Sequence, residues 1–382
     1  MLVPSIPVMA VHFGISPGTA AQIITALAFG RLAGMPISGV VLDRLGTRAA
    51  LITGPALACA VALLAAIVPW FSIILLLLFV LGIAESIWVI AREVAGIDLA
   101  LPNQRGRVLS GFHGVNYMGL ALGPLAGGLL AETSGFRGAF VVYAACAAVS
   151  VLLGFTVESS RTPHSVQAAA PAGGRSMTAW LQRLRNVRKL VDQIPPHFRA
   201  TYVVVVFATF TSFIHRVTTQ SMLPWFATTE LGLSPKEVGL LFTISGVAAF
   251  IMILPAGFVI DKLGRKWATV PSTGIPALAF LLIPFAGNFS QLALLMLFLG
   301  IANGLSLGSL ATSTFDVIPV NARGRLQALR RTIAEIGGVG APLAGGILAD
   351  SFNPGVPFLV YAPLIILSAV LLAFIARETL QR

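Results

Sequence analysis

Charge is scarce in this chain. Only 10% of its 382 residues are Asp, Glu, Lys or Arg, against ~25% in an average soluble domain. With 57% hydrophobic residues there is too little polar surface to cover a water-facing globule. A soluble domain is therefore nearly excluded, and so is a disordered chain. Cysteine is scarcer still. Cys59 and Cys146 sit inside apolar runs, so there is no disulfide framework and no metal-ligand spacing. The five histidines (His12, His113, His164, His197, His215) are scattered, which argues against a membrane enzyme built on a metal or catalytic cluster. No Gly-x-x-x-x-Gly-Lys-Ser/Thr loop occurs, which argues against an ATP-driven pump. No cofactor is implied. Acidic residues number 14 against 25 Lys and Arg, a net charge of +11. Such an excess points either to nucleic acid or to the cationic loops of a membrane protein.

Long apolar runs are what the chain does have. A bilayer-spanning helix needs ~20 mostly apolar residues. Eleven such runs follow one another, over roughly 19–42, 49–69, 72–98, 108–131 and 138–157, then 200–222, 235–260, 267–286, 290–316, 326–349 and 356–376. Residues 1–12 are apolar but too short to span, and they lack the leading cations of a cleaved signal peptide. Segment 158–198 breaks the pattern. It holds the linker-like run Ala168–Gly174, then Met177, Trp180, Leu181, Leu184, Val187 and Val191 at helical spacing. Arg183, Arg185, Arg188 and Lys189 lie largely off that stripe, as in a helix lying at the membrane surface; a solvated connector helix is the alternative.

The two halves match at a constant offset of 218 residues. FGISP from Phe13 matches LGLSP from Leu231, and GVVLDRLGTR from Gly39 matches GFVIDKLGRK from Gly257. NQRGR from Asn103 matches NARGR from Asn321, and GPLAGGLLAE from Gly123 matches APLAGGILAD from Ala341. Two homologous halves are one route to a transporter. The chain thus reads as a bundle over 1–157, a linker over 158–198 and a second bundle over 199–382. By the same offset, residues 1–12 match the tail of a longer helix. The expectation is that the native protein starts further upstream and has twelve helices.

Charge sets the orientation. Alternate loops, beginning with the one after the first full span, hold 20 of the 25 Lys and Arg together with the C-terminus, and that side nets +13. The opposite loops net −2. By the positive-inside rule the cationic side faces the cytoplasm. The excess charge is then spoken for, and no basic domain remains for nucleic acid.

These motifs resemble the major facilitator superfamily. Its pattern Gly-x-x-x-Asp-Arg-x-Gly-Arg-Arg/Lys is matched by Gly39, Asp43, Arg44, Gly46 and Arg48, with Thr47 in place of the first late cation. The second copy is Gly257, Asp261, Lys262, Gly264, Arg265 and Lys266. The resemblance implies an all-α integral membrane fold of two pseudo-symmetric six-helix bundles, here eleven full spans plus an N-terminal stub. It also implies gating contacts of Arg44 or Arg48 with Asp98, and of Lys262 or Arg265 with Asp316. Ordinary loop charges are the alternative. Gly119, Gly123, Pro124, Gly127 and Gly128 resemble the family's antiporter motif, or else serve general helix packing.

Six ionisable residues fall at bilayer depth: Arg31, Glu85, Arg92, Glu93, Arg216 and Glu335. Such residues are costly and mark pathways by default. Glu85 is the proton-carrier candidate, because no cation lies one turn away on its own helix; its repeat counterpart is Asn303. A carboxylic acid satisfied by a hydroxyl or the backbone is the alternative. Arg331 and Glu335 share a helix face and read as a helix-fixing pair. Arg216 and Arg31 are candidates for an anionic group or for a structural pair. His113, Asn116 and Tyr117 are candidates for cavity lining.

The expectation is a secondary transporter, not an enzyme, acting as a monomer in a plasma membrane of the bacterial inner type. It moves a small organic solute by alternating access, with a proton as coupling ion and export as the direction. The alternatives are proton-coupled uptake of a small anion and a non-transporting or truncated relative.

Overall fold

Apolar runs of membrane length must satisfy their own backbone polar groups, because lipid offers none. The computed structural model describes residues 2–99, 105–157, 191–319 and 322–379, and every regular element among them is helical. These are α1 (Ile6–Phe13), α2 (Pro17–Ile67), α3 (Phe71–Leu99) and α4 (Arg105–Thr156). Then come α5 (Pro196–Thr229), α6 (Pro235–Ile251), α7 (Ile253–Phe258) and a π-helical turn over Val259–Leu263. The last four are α8 (Lys266–Leu282), α9 (Phe289–Val317), α10 (Arg323–Ser351) and α11 (Val356–Phe374).

Two of these helices are double. In α2, Gly46 leaves the helical region at φ 82 and ψ 169. Gly34 before it packs on Ile83 and Ser86, and Gly54 after it packs on Ala84 and Trp88. Both arms touch one stretch of α3, so the chain folds back at Gly46. In α4, Gly135 at φ 68 and ψ −178 interrupts an apolar stretch of 39 residues. A straight helix of that length would run ~58 Å, about twice the hydrocarbon thickness. Among the described residues nine helices are long and apolar enough to cross, or ten with the bent α6–α7 pair as one. Dividing the long stretch at Gly135 gives the eleven spans read from the sequence. The α6–α7 bend of 42° follows from Pro255, which cannot donate the interior hydrogen bond.

The repeat is visible in the helix starts. Ser16 accepts from Thr19 N at 3.2 Å ahead of Pro17. Its counterpart Ser234 forms a full capping box with Glu237 ahead of Pro235. Serine caps the free amides and proline occupies the first helical position, where no donor is needed.

One core cluster gathers Ile6, Met9, Ile74, Leu78, Leu81 and Phe140 from the first half. Another gathers Leu223, Phe226, Phe280, Leu292, Phe358 and Ile365 from the second. The halves meet where backbones approach closely. Gly346 abuts Gly18, Gly128 abuts Pro235 and Lys236, Gly239 abuts Pro124, and Gly246 abuts Ala121. Ser16 Oγ and Gly18 N also donate to the Asp350 carboxylate at 2.9 and 2.8 Å. These contacts run from mid-helix to the end that carries Asp350. The expected surface helix over 176–192 lies almost wholly outside the described residues. The helix after it starts at Pro196, a few residues ahead of the expected boundary.

Candidate functional site

Arg31, Glu85, Arg216, Asn303 and Glu335 lie 13 to 16 residues from the Asp350 end of their helices. At 1.5 Å per residue that places all five about 20 Å from the same end, in one layer at mid-membrane.

The first half contributes a closed triad. Glycines 30, 34 and 82 bring the backbones of α2 and α3 together, with Gly82 against Arg31 N and Leu27 O, and Gly34 against Ile83 and Ser86. That crossing puts Arg31 on Glu85. Arg31 Nη2 and Nε reach Glu85 Oε2 at 2.7 and 2.8 Å. The second arm of α4 supplies Tyr143, whose hydroxyl donates to Glu85 Oε1 at 3.0 Å. Glu85 thus has a cation after all, from a neighbouring helix rather than its own. Arg31 also interacts electrostatically with Glu335 of α10, across the two halves. Arg331 and Glu335 make no contact ion pair among the described residues, and Arg331 is exposed. Glu335 still has Arg331 as its foremost electrostatic neighbour, ahead of Arg31.

The second half answers with neutral acceptors. At the repeat position of Glu85, Asn303 Oδ1 accepts from Arg216 Nε at 3.0 Å and lies 3.3 Å from His215 Nε2. Arg216 Nη2 donates to Ser306 Oγ at 2.7 Å. Arg92 lies over the Trp88 ring and its Nη2 donates to Asn116 Oδ1 at 3.4 Å. The side chains of Glu93, His113 and Tyr117 lie outside the described residues.

The paired loop motifs sit at the opposite end from Asp350. Gly46 and Gly264 have φ of 82° and 133°, where a side chain would be strained, so glycine is required at both turns. In the second copy Arg265, not Lys262, takes Asp316, at 3.1 Å, and also reaches Asp261 at 3.3 Å. Thr379 Oγ1 donates to the same Asp316 oxygen at 2.9 Å. Glu378 accepts from the backbone amides of Arg265 and Lys266 at 2.9 and 3.1 Å, capping α8. In the first copy Arg44 is exposed and Arg48 donates to Phe155 O at 3.0 Å. The side chains of Asp43 and Asp98 lie outside the described residues, so the Arg44 or Arg48 contact with Asp98 does too. Within the α4 motif, Pro124 and Gly128 press on α6, whereas Gly119 faces open space.

Three residues were not singled out from the sequence: Tyr143, Glu378, and Arg330 of α10, which lines a cavity with Arg216. Tyr143 carried a signal, a tyrosine hydroxyl in an apolar span. Arg330 read as one more loop cation, and Glu378 as part of a terminal tail.

Known proteins match this architecture. The sequence model of the Major Facilitator Superfamily matches residues 1–213 and 205–382. The chain is 25% identical over 317 residues to the multidrug resistance protein MdtG of Salmonella arizonae, covering 77% of this chain and 74% of that one. It is 26% identical over 319 residues to the protein of that name from Salmonella schwarzengrund, with the same coverage. Among solved structures, a peptide transporter POT superposes with a TM-score of 0.80 at 15% identity, covering 98% of this chain and 90% of that one. A D-xylose-proton symporter superposes at 0.76 and 18% identity, covering 99% and 94%. A nucleoside transporter NupG superposes at 0.74 and 16%, covering 97% and 94%. With a family match running from end to end of a multi-pass helical chain, the protein belongs to the major facilitator superfamily of membrane transporters.

Proposed function

We propose that this transporter exports a small organic solute from the cytoplasm by alternating access, coupled to proton entry through Glu85. The observation that carries the proposal is the Arg31–Glu85–Tyr143 triad, with Glu335 of the other half among the charges that act on Arg31. A carboxylate held by one cation at mid-membrane is a group whose protonation frees that cation. Arg31 then turns to Glu335, and the two halves are drawn differently. This links a proton to the relative position of the halves, as coupling requires.

Export is supported by the relatives named for multidrug resistance. The close contacts between halves lie towards the Asp350 end. If the +13 side is cytoplasmic, the mid-membrane layer is closed off from outside and accessible from within. On this reading residues 1–157 and 199–382 are two rocking bundles in a bacterial inner membrane. Arg265–Asp316 belongs to the gate at the cytoplasmic end, and the protein works as a monomer.

The test is proton flux in proteoliposomes loaded with a pH-sensitive dye and challenged with a panel of amphipathic solutes. Wild type is expected to couple solute movement to proton movement, and Glu85→Gln to lose the coupling. Coupled flux unchanged by Glu85→Gln rejects Glu85 as the carrier.

A further inference from the structure

A cavity of about 150 Å³ lies between α5, α9 and α10. Arg216 and Arg330 line it, with the hydroxyl-bearing residues Thr209, Ser212 and Ser306, and among the described residues no acidic one forms its walls. Arg330 is half-buried, and its hydrogen-bond partners are neutral. Nε donates to Gln327 Oε1 at 3.0 Å and Nη1 to Thr209 Oγ1 at 3.3 Å. Its electrostatic neighbours are Tyr202 and a second cation, Arg331. No carboxylate lies within ion-pair distance of it among the described residues. The Gln327 amide that orients it leaves its own buried Nε2 without a partner. In the first half, by contrast, Arg31 is already neutralised by Glu85.

Taking a guanidinium out of water without an anion is expensive. A donor-rich pocket with no acid among its described walls suits an anion from outside the chain. We propose that this cavity is the subsite for the anionic group of the transported solute, a carboxylate, sulfonate or phosphate carried on an apolar body. Arg330 is its charge contact. Whole drug-sized ligands occupy ~300–1,000 Å³, so this space takes the head group only. Phe213 and Leu310 on its wall meet the start of the body. Arg330 lies nearer the cationic end of α10 than the mid-membrane layer, so a solute entering from that end meets it first. Guanidinium suits the task because its fork matches two anionic oxygens at once. The inference rests on the transport reading above and names its substrate class.

The experiment uses the purified full chain in nanodiscs of zwitterionic lipid. Binding of 4-phenylbutyrate is measured by calorimetry against 4-phenylbutanamide, which has the same body without the charge. The acid is expected to bind at least about tenfold more tightly, a difference of roughly 1.4 kcal/mol. Arg330→Gln is expected to erase that preference and leave the amide's affinity unchanged, while Arg330→Lys keeps part of it. Equal affinities in wild type, or a preference surviving Arg330→Gln, overturn the proposal. Where Arg330→Gln does not yield folded protein, Arg330→Lys and Ser306→Ala replace it, and a preference undiminished in both overturns the proposal. Anionic lipid added to the nanodiscs separates the sources of the anion. A preference that persists supports a solute site; one that vanishes assigns the pocket to a lipid head group and overturns it. Coupled flux of a neutral solute without any acid preference removes the subsite and leaves the transport reading standing. Acid preference without any coupled flux removes the transport reading and leaves the subsite.

Discussion

Arg31 of α2 and Glu85 of α3 form an ion pair of 2.7 Å at mid-membrane depth. Removing one partner strands the other's charge, which costs more than the pair gains. Arg31→Ala is therefore expected to destabilise the protein by about 2 kcal/mol. That is below the range for fully buried pairs, because the Arg31 side chain is 49% exposed and partly screened. The double substitution Arg31→Leu with Glu85→Leu is expected to recover most of that stability while abolishing proton-coupled flux. Thermal unfolding in detergent and the flux assay read the two effects separately. A double variant no more stable than Arg31→Ala means that the stranded charge is not the cause.

The seam between the halves gives a second prediction. A Cβ at Gly128 would run into the backbone of Pro235. Gly128→Leu is expected to wedge α4 from α6 and open the Asp350 end. A reporter cysteine at Gln22, in the small cavity beside Gly18 and Asp350, then reacts faster with an impermeant maleimide. Cys59 and Cys146 are first replaced by alanine. An increase of about tenfold corresponds to ~1.4 kcal/mol of population shift. Labelling no faster than in the parent shows that the seam is not a closure.

The span pattern, the repeat and the loop motifs were legible in the sequence, because lipid imposes helix length and glycine marks the turns. Gly46 and Gly264 sit where the motif copies put them, and both fold the chain back. What stayed hidden is contact between helices. Glu85 showed no cation one turn away on its own helix, and its partner is 54 residues away on another. The clue lay in the small residues Gly30, Gly34 and Gly82, which set α2 against α3. Arg330 was hidden by composition. Counted among cytoplasmic cations, it gave no sign that its surroundings are a neutral pocket rather than solvent.

The C-terminal tail fastens the second loop motif. Glu378 caps the first amides of α8, and Thr379 donates to Asp316. A carboxylate at a helix N-terminus is worth about 1 kcal/mol from the hydrogen bonds and the helix dipole together. Glu378→Ala is expected to lower stability by that amount, and Glu378→Gln by less, since the amide oxygen still accepts. Equal losses for the two variants would assign the effect to the charge alone.

Asn303 occupies the repeat position of Glu85 but carries no charge, and this is one chemical difference between the two halves. Asn303→Asp supplies a carboxylate 3.0 Å from Nε of Arg216, which lies on a different helix from Ala249, the repeat counterpart of Arg31. The new carboxylate sets a negative charge near the Arg216 end of the Arg330 cavity. A solute anion then loses one cation and meets repulsion. The preference for 4-phenylbutyrate over its amide is expected to shrink by about tenfold, near 1.4 kcal/mol, while stability holds or rises because the new pair forms between groups already in place. Calorimetry and thermal unfolding on the same sample check both. If the acid binds as tightly to Asn303→Asp as to wild type, Arg216 takes no part in holding the anion, and Arg330 is left to do so alone.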